Sequence, residues 1–218
     1  MMKTKLGTEQ PEARWPVILT VLGVIFILAL LPERNRVTPA WFPLVSGIVV
    51  IIPIVAAGLT AGKPLWLRIE KVITLLYVVV MAIGNLANLS ILVEKMVDPL
   101  EEVGGLQLLI SSISIWIINV FMFALLYWQV DCSGPGGRMH GIAINRDWSW
   151  PQAQVEDLDG WKPVFVDYLF LAYCTAAAFS PTDVLPLTAR AKMLMMLEGL
   201  ISLATIVVVG ARAINILS

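Results

Sequence analysis

The chain has 218 residues, of which 58% are hydrophobic and 14% are charged, and its mean hydropathy is +0.83. A soluble domain of this size has too little interior for so much apolar surface, so the composition predicts an integral membrane protein in contact with the lipid bilayer. The net charge of −1 provides no basic face for nucleic acid. The single histidine and two distant cysteines form no metal-binding motif, and we expect neither a metal nor a cofactor.

Six apolar runs follow an N-terminal tail of residues 1–14, and they predict membrane helices because about 20 apolar residues cross the hydrocarbon core. The first four runs define a four-helix transmembrane region over residues 15–128. The segment 63–71 mixes aromatic and cationic side chains, which is typical of the membrane interface. The six runs cover residues 15–31, 41–59, 72–93, 106–128, 163–179 and 191–217.

A long polar stretch, residues 129–162, separates the fourth run from the fifth. It contains Gly-Pro-Gly-Gly at positions 134–137, which is typical of turns. We interpret the stretch as a surface loop folded over the membrane rather than as a second domain. Its three tryptophans suggest a surface that docks a partner; they are Trp148, Trp150 and Trp161.

The last region, residues 163–218, has an apolar run, 163–179, that is short for a membrane span. If this run spans, the chain has six membrane helices, and an N-terminus on the inside agrees with the positive-inside rule. If it turns back, there are five, the termini lie on opposite sides, and an outward-facing turn violates the charge bias. We therefore expect an all-α polytopic transmembrane bundle of five or six membrane helices.

Glu198 lies within the last apolar run, and a carboxylate at membrane depth indicates a functional site. Ser202 and Thr205 follow at offsets of four and seven residues, so the three side chains share one helix face that can line an ion path. The alternative is that Glu198 lies near the interface and pairs with Arg190 or Lys192.

The turn between the last two runs carries Ser180, Thr182 and Asp183. Hydroxyl and carboxylate oxygens can coordinate a cation, so these residues are candidates for the constriction or mouth of a pore. The alternative is that Asp183 or Thr188 caps the last helix.

Other polar and small residues in the runs have structural interpretations. Asp167 is expected to cap the short helix electrostatically. We expect hydrogen bonds between helices from Asn85, Asn88 and Asn119, and close helix contacts at Gly84, Ala87, Gly199 and Gly210.

Residues 167–202 resemble the pore segment of potassium channels, which consists of a short pore helix, a filter and an inner helix. The matching positions are Asp167, Tyr168, Phe170 and Thr175 in the pore helix, Asp183, Pro186 and Thr188 after the filter, and Lys192 and Glu198 in the inner helix. The resemblance implies a pore-helix and inner-helix pair and adds Thr175 to the ion-path candidates.

The filter departs from the channel pattern. Those channels carry Thr-Val-Gly-Tyr-Gly, whereas residues 178–182 of this chain read Ala-Phe-Ser-Pro-Thr. The glycines that permit the backbone shape of a potassium filter are missing, and Pro181 restricts Ser180. The chain also resembles a family of uncharacterised bacterial polytopic membrane proteins, through Phe-Val-Asp-Tyr-Leu at 165–169, Ala-Phe-Ser-Pro-Thr-Asp at 178–183 and Ala-Arg-Ala-Ile-Asn at 211–215.

The channel resemblance implies a channel-like protein that passes a small cation, as a homotetramer if it is built like a channel. The bacterial family implies no activity, and with it we expect a protein of the bacterial inner membrane. The alternative is a non-conducting accessory or scaffold subunit that packs with other membrane proteins. We expect no enzyme, because the sequence shows no nucleophile–base pair and no phosphate-binding glycine loop.

Overall fold

The computed structural model describes residues 12–31, 38–60, 62–97, 105–139, 146–155, 161–178 and 184–217. These residues are mostly helical, as expected. The helices are α1 (Trp15–Leu30), α2 (Phe42–Leu59), α3 (Pro64–Val97), α4 (Gly105–Val130), α5 (Pro135–Met139), α6 (Phe165–Ala176) and α7 (Ala189–Leu217), and the strands are β1 (Trp148–Ser149) and β2 (Leu185–Pro186).

Four of these helices, α2, α3, α4 and α7, are long and apolar enough to cross a membrane. Helices α1 and α6 are apolar but shorter, with 16 and 12 residues. At 1.5 Å per residue, α6 is about 18 Å long, which is little more than half of a hydrocarbon core of about 30 Å.

The predicted start of the third run is wrong. Residues 64–71 form the first turns of α3, which begins at Pro64 and continues without interruption to Val97. The first turns of α3 carry Glu70, which is 1% exposed and forms an ion pair of 3.3 Å with Arg14 of α1. This neutralisation lets a charged turn continue into the packed bundle.

Helix α4 lies at the centre of the bundle and packs against α1, α3, α6 and α7. Its C-terminal half is almost entirely buried, and Tyr127 and Trp128 have no exposed surface. The chain then turns sharply through Gly134 to α5, where a Cβ atom at Gly137 would lie 1.8 Å from the Cys132 carbonyl oxygen. The glycine-rich turn predicted for positions 134–137 is therefore present, and Gly137 is required there by close backbone approach.

Several helix ends meet at one end of the bundle, which we call the polar end. The start of α1 lies against the start of α3 through Arg14 and Glu70. The start of α3 lies against the end of α4 because Lys71 donates a hydrogen bond of 3.1 Å to the Ser133 carbonyl. Two further helices, α6 and α7, also begin here.

Helix α6 begins at the polar end, where the Phe165 ring packs edge-on against Trp128 with centroids 5.8 Å apart. It runs antiparallel to α4, because its last residue, Ala176, accepts a hydrogen bond of 3.4 Å from Trp116. Helix α7 also begins at the polar end, where Arg190 reaches the Val130 carbonyl at 3.5 Å. Both helices therefore enter the bundle from the same end.

The two strands pair at the polar end, although the sequence indicated only helices and loops. Trp148 lies opposite Pro186 and Ser149 opposite Leu185 in an antiparallel pair. The Leu187 amide extends this contact by donating to the Asp147 carbonyl at 2.8 Å. The short pair fastens the residues just before α7 onto the loop that follows α5.

The expected packing roles are confirmed for two asparagines and not for the glycines. Asn85 donates to the Ile115 carbonyl across α3 and α4 at 3.2 Å, and Asn119 links α4 to α7. Within the chain the glycine prediction is wrong: a Cβ atom placed on any of the three glycines concerned would meet no described atom within 4 Å. These glycines are Gly84, Gly199 and Gly210.

Candidate functional site

Glu198 is fully buried between α7 and α4. The Tyr127 hydroxyl donates a hydrogen bond of 2.5 Å to Glu198 Oε2. The other carboxyl oxygen, Oε1, is buried and has no hydrogen-bond partner among the described residues. The predicted alternative of a pair with Arg190 is wrong, because Arg190 binds Asp147 instead.

The predicted polar face of α7 continues from Glu198 toward the C-terminus of the helix, and it also faces α4. Asn119 of α4 donates to Ser202 Oγ at 2.9 Å and to the Glu198 carbonyl oxygen at 3.4 Å. Thr205, one turn further, is fully buried and donates to the Ile201 carbonyl of its own helix at 2.8 Å. The structure therefore brings Glu198, Ser202 and Thr205 together in a column along the interface of α4 and α7.

The opposite face of α7 is apolar. It exposes large side chains between Met193 and Val207, and several are more than half exposed: Met193, Met196, Leu200, Leu203 and Val207. This face is suited to lipid or to another apolar surface, whereas the polar column is enclosed within the chain.

The remaining ion-path candidates do not join this column. The Thr175 hydroxyl donates to the Leu171 carbonyl of α6 at 2.9 Å and is satisfied within its own helix. Ser180, Thr182 and Asp183 lie outside the described residues. The capping alternative for the last helix is confirmed for Thr188, whose hydroxyl accepts a hydrogen bond of 3.1 Å from the Ala191 amide.

A network of charged side chains lies at the polar end, centred on Glu12. Its carboxylate accepts hydrogen bonds from the Trp128 indole at 2.7 Å and from the Phe165 amide at 3.0 Å. Arg138 adds an ion pair of 3.2 Å to Glu12 and donates to the Trp128 carbonyl at 2.9 Å. One residue of the N-terminal segment thus ties α4, α5 and the start of α6 together.

Arg138 is 5% exposed, yet it keeps its charge. Burial alone would lower the pKa of the guanidinium, but Tyr168, Glu12 and Asp131 raise the pKa above its ordinary value. The side chain also lies over the Tyr168 and Trp128 rings, at 5.1 Å and 5.9 Å from their centroids. Arg138 is therefore protonated at every physiological pH.

Asp131 and Asp147 connect this network to α7. Asp131 is fully buried and accepts from the Tyr168 hydroxyl at 2.6 Å and from the Asp147 amide at 2.8 Å. Asp147 accepts from the Thr188 hydroxyl at 2.5 Å and forms an ion pair of 2.5 Å with Arg190. These contacts hold the starts of α6 and α7 at the same end of the bundle.

The helix-capping prediction for Asp167 is confirmed. Its carboxylate accepts a hydrogen bond of 2.7 Å from the Val164 amide at the start of α6.

Two of the three loop tryptophans are too buried to form the expected docking surface. Trp148 and Trp150 are 0% and 4% exposed. Both rings pack edge-on against Tyr168, and the Trp148 ring also packs at a tilt against Tyr127.

The described residues contain no group of three or more histidine, cysteine, aspartate or glutamate side chains that could hold a metal ion. Both cysteines are free and buried. The donors at the column are a tyrosine hydroxyl and an asparagine amide, and the acceptors are the Glu198 carboxyl group and the Ser202 hydroxyl. Such a set can bind and pass a proton or orient a neutral carboxyl group.

Sequence reasoning did not identify the partners of Glu198. Tyr127 ends the fourth apolar run beside Trp128, a position typical of aromatic anchors at the membrane interface, and it is fully buried within the chain. The available signal was its spacing: Asn119 and Tyr127 are eight residues apart on α4, which places them on roughly one face. That spacing shows a shared face, but it does not show that α7 covers it.

The residues that the structure describes are mostly helical and include four helices long and apolar enough to span a membrane, with a buried carboxyl group in the last of them. No protein-family model, curated protein or solved structure matches the chain.

Proposed function

We propose that the protein is an integral membrane protein in which α6 is a re-entrant half-helix, and that α6 and α7 form part of a path for a small cation. The observation that carries this proposal is that α6 is about 18 Å long and begins at the same end of the bundle as α7. A span by α6 would instead leave α7 to begin at the opposite end.

A half-helix that stops inside the bilayer suits a cation path because of its dipole. The carbonyl groups at a helix C-terminus carry a partial negative charge, and in membrane transporters such ends coordinate cations. The last residue of α6, Ala176, lies beside Trp116, which is more than three helical turns from the polar end of α4. The negative end of α6 therefore lies deep in the bundle.

The polar column favours a path within each chain. Glu198, Ser202 and Thr205 face α4, while the face of α7 that would line the axis of a homotetramer is apolar. A homo-oligomer remains compatible with this arrangement, because the apolar faces of α6 and α7 can meet lipid or a second copy.

The charge distribution favours a cytoplasmic location for the polar end in a bacterial inner membrane, since cytoplasmic segments carry an excess of lysine and arginine. The described basic residues attached to this end are Arg14, Lys63, Arg68, Lys71, Arg138, Arg146, Lys162, Arg190 and Lys192. At the opposite end, α3 and α7 carry Lys95 and Arg212. The starts of α6 and α7 would then face the cytoplasm, and the candidate path would open on that side.

Cysteine labelling tests the topology. Single cysteines at Val164 and Leu187, which are 47% and 55% exposed, bracket α6 in a background in which Cys132 and Cys174 are replaced by serine. A cysteine at Leu30, at the opposite end of α1 and 59% exposed, is the matched control. An impermeant maleimide should label the first two positions from one side and the third from the other.

Labelling of Val164→Cys and Leu187→Cys from opposite sides would refute the re-entrant assignment. If the two positions label from one side, purified protein in liposomes is next tested for proton and potassium flux. Flux of either ion supports the proposal, and absence of both from folded protein favours the non-conducting accessory subunit instead.

A further inference from the structure

We propose that Glu198 is a proton-binding site and that the small cation carried along the interface of α4 and α7 is the proton. This inference rests on the proposed function, since it names the ion for the same path. It is carried by three observations: the carboxyl group is fully buried, one of its oxygens has no described partner, and the groups that contact it are hydrogen-bond donors.

The burial of Glu198 requires a neutral carboxyl group in the absence of a positive partner. A buried carboxylate without a counter-ion is expensive, and the group takes up a proton instead. Tyr127 supplies one neutral hydrogen bond to Oε2, which does not compensate a full charge.

Three charged groups on the surrounding elements have partners of their own. Arg190, at the start of the same helix, pairs with Asp147. Lys71 of α3 donates to the Ser133 carbonyl, and Asp131 beyond the end of α4 accepts from Tyr168 of α6. The ring that packs on Tyr127 from β1 is the uncharged Trp148.

The geometry favours a proton over a metal cation. A metal ion needs several oxygen ligands whose lone pairs point at it. Here Tyr127 and Asn119 turn hydrogen-bond donors toward the carboxyl oxygen Oε2, the Glu198 carbonyl and Ser202 Oγ. Donors repel a metal ion, but they stabilise the carboxylate that remains when a proton leaves.

The reaction at the site is a reversible ionisation. The O–H bond of the Glu198 carboxylic acid breaks, the electron pair stays on the carboxylate, and the proton passes to water or to the next group of the path. The Tyr127 hydroxyl keeps its proton and donates to Oε2 in both states. No oxidant, reductant or second substrate is required.

The first test measures protonation of Glu198. A lipid-soluble carbodiimide adds the O–H of a protonated carboxyl group in an apolar site, and the product rearranges to a stable N-acylurea that mass spectrometry locates. At neutral pH we expect modification at Glu198 and none at Asp147, which is ion-paired with Arg190. Folded protein that remains unmodified at Glu198 would overturn the inference.

The second test measures transport in liposomes with a pH-sensitive dye inside. Glu198→Gln keeps the side-chain shape but binds no proton, and we expect proton flux to fall at least about 10-fold, equivalent to about 1.4 kcal/mol. Leu200→Met, on the exposed face of the same helix, is the matched control and should retain flux. If Glu198→Gln misfolds, Glu198→Asp keeps an ionisable group and is expected to retain measurable flux.

The outcomes separate the two proposals. Proton flux that survives Glu198→Gln would overturn the proton site while leaving a cation path in place. Carbodiimide modification of Glu198 without flux of any small cation would leave the protonated carboxyl group and refute the transport function.

Discussion

Asp147→Asn should destabilise the protein by releasing the start of α7 from the loop at the polar end. The Asp147 side chain is 1% exposed and binds both Thr188 and Arg190. Asparagine has nearly the same size but loses the charge, and its amide group presents a donor where the Arg190 guanidinium also donates.

The magnitude follows from the exposure of the two partners. A buried hydrogen bond to a charged group contributes about 1.5–3 kcal/mol, which is the relevant range for the contact of 2.5 Å with Thr188. The Arg190 side chain is 56% exposed, so solvent reduces its ion pair to about 0.2–1 kcal/mol. Because asparagine can still accept from Thr188, we expect a net loss of about 1–3 kcal/mol for Asp147→Asn.

Unfolding in detergent can be followed with a thiol-reactive dye, because the free cysteines, Cys132 and Cys174, are buried and become reactive as the protein opens. A double-mutant cycle with Arg190→Gln should give a coupling energy below about 1 kcal/mol. Thr188→Ser retains the hydroxyl and is the matched control, expected within about 0.5 kcal/mol of the wild type.

Unchanged stability of Asp147→Asn would refute the reasoning. So would a coupling to Arg190 larger than the whole effect of Thr188→Val, since the buried contact is expected to dominate the exposed one. Thr188→Val also removes the cap on the Ala191 amide, which adds about 1 kcal/mol to its cost.

Three further substitutions probe the bundle. Arg138→Lys should lower the free energy of unfolding by about 1–3 kcal/mol in the same dye assay, because one ammonium group cannot keep the contacts with both Glu12 and the Trp128 carbonyl. Glu12→Gln should cost about 3–5 kcal/mol, since it leaves buried Arg138 without its ion-pair partner; a loss below 1 kcal/mol would contradict the assigned network. Trp116→Phe should cost about 1–3 kcal/mol by thermal unfolding, because it leaves the buried Ala176 carbonyl without the Trp116 donor.

The helical runs were predictable because hydropathy is a local property. The run 41–59 corresponds to α2 (Phe42–Leu59), and the run 106–128 to α4 (Gly105–Val130). The run 72–93 was too short for α3 because Glu70 and its charged neighbours interrupt the apolar pattern. The partner that permits their burial, Arg14, is 56 residues away in the chain, and no local pattern shows it.

The candidate site was predictable in part for the same reason. Helical spacing correctly placed Glu198, Ser202 and Thr205 on one face, because that depends only on the 3.6-residue period. The neighbour of that face depends on how helices pair, so the contacts with Tyr127 and Asn119 could not be derived from spacing alone.

The polar end explains how a chain this apolar can place a short helix inside its bundle. A helix leaves its first amide groups and last carbonyl groups without internal partners, and a membrane interior supplies no water to satisfy them. At the start of α6, the Phe165 amide donates to Glu12 and the Val164 amide to Asp167. Both acceptors are carboxylates, which also suit the positive end of the helix dipole.

The backbone groups at the inner, C-terminal end of α6 find their hydrogen-bond partners in a different way. The Ala177 amide donates to the Tyr173 carbonyl at 2.9 Å, and the Ala178 amide to the Thr175 carbonyl at 3.4 Å. The Ala176 carbonyl is reached by the Trp116 indole of α4. A helix that ends at this depth is therefore sustained by a neighbouring helix rather than by solvent, through the donor side chain of Trp116 on the central helix α4.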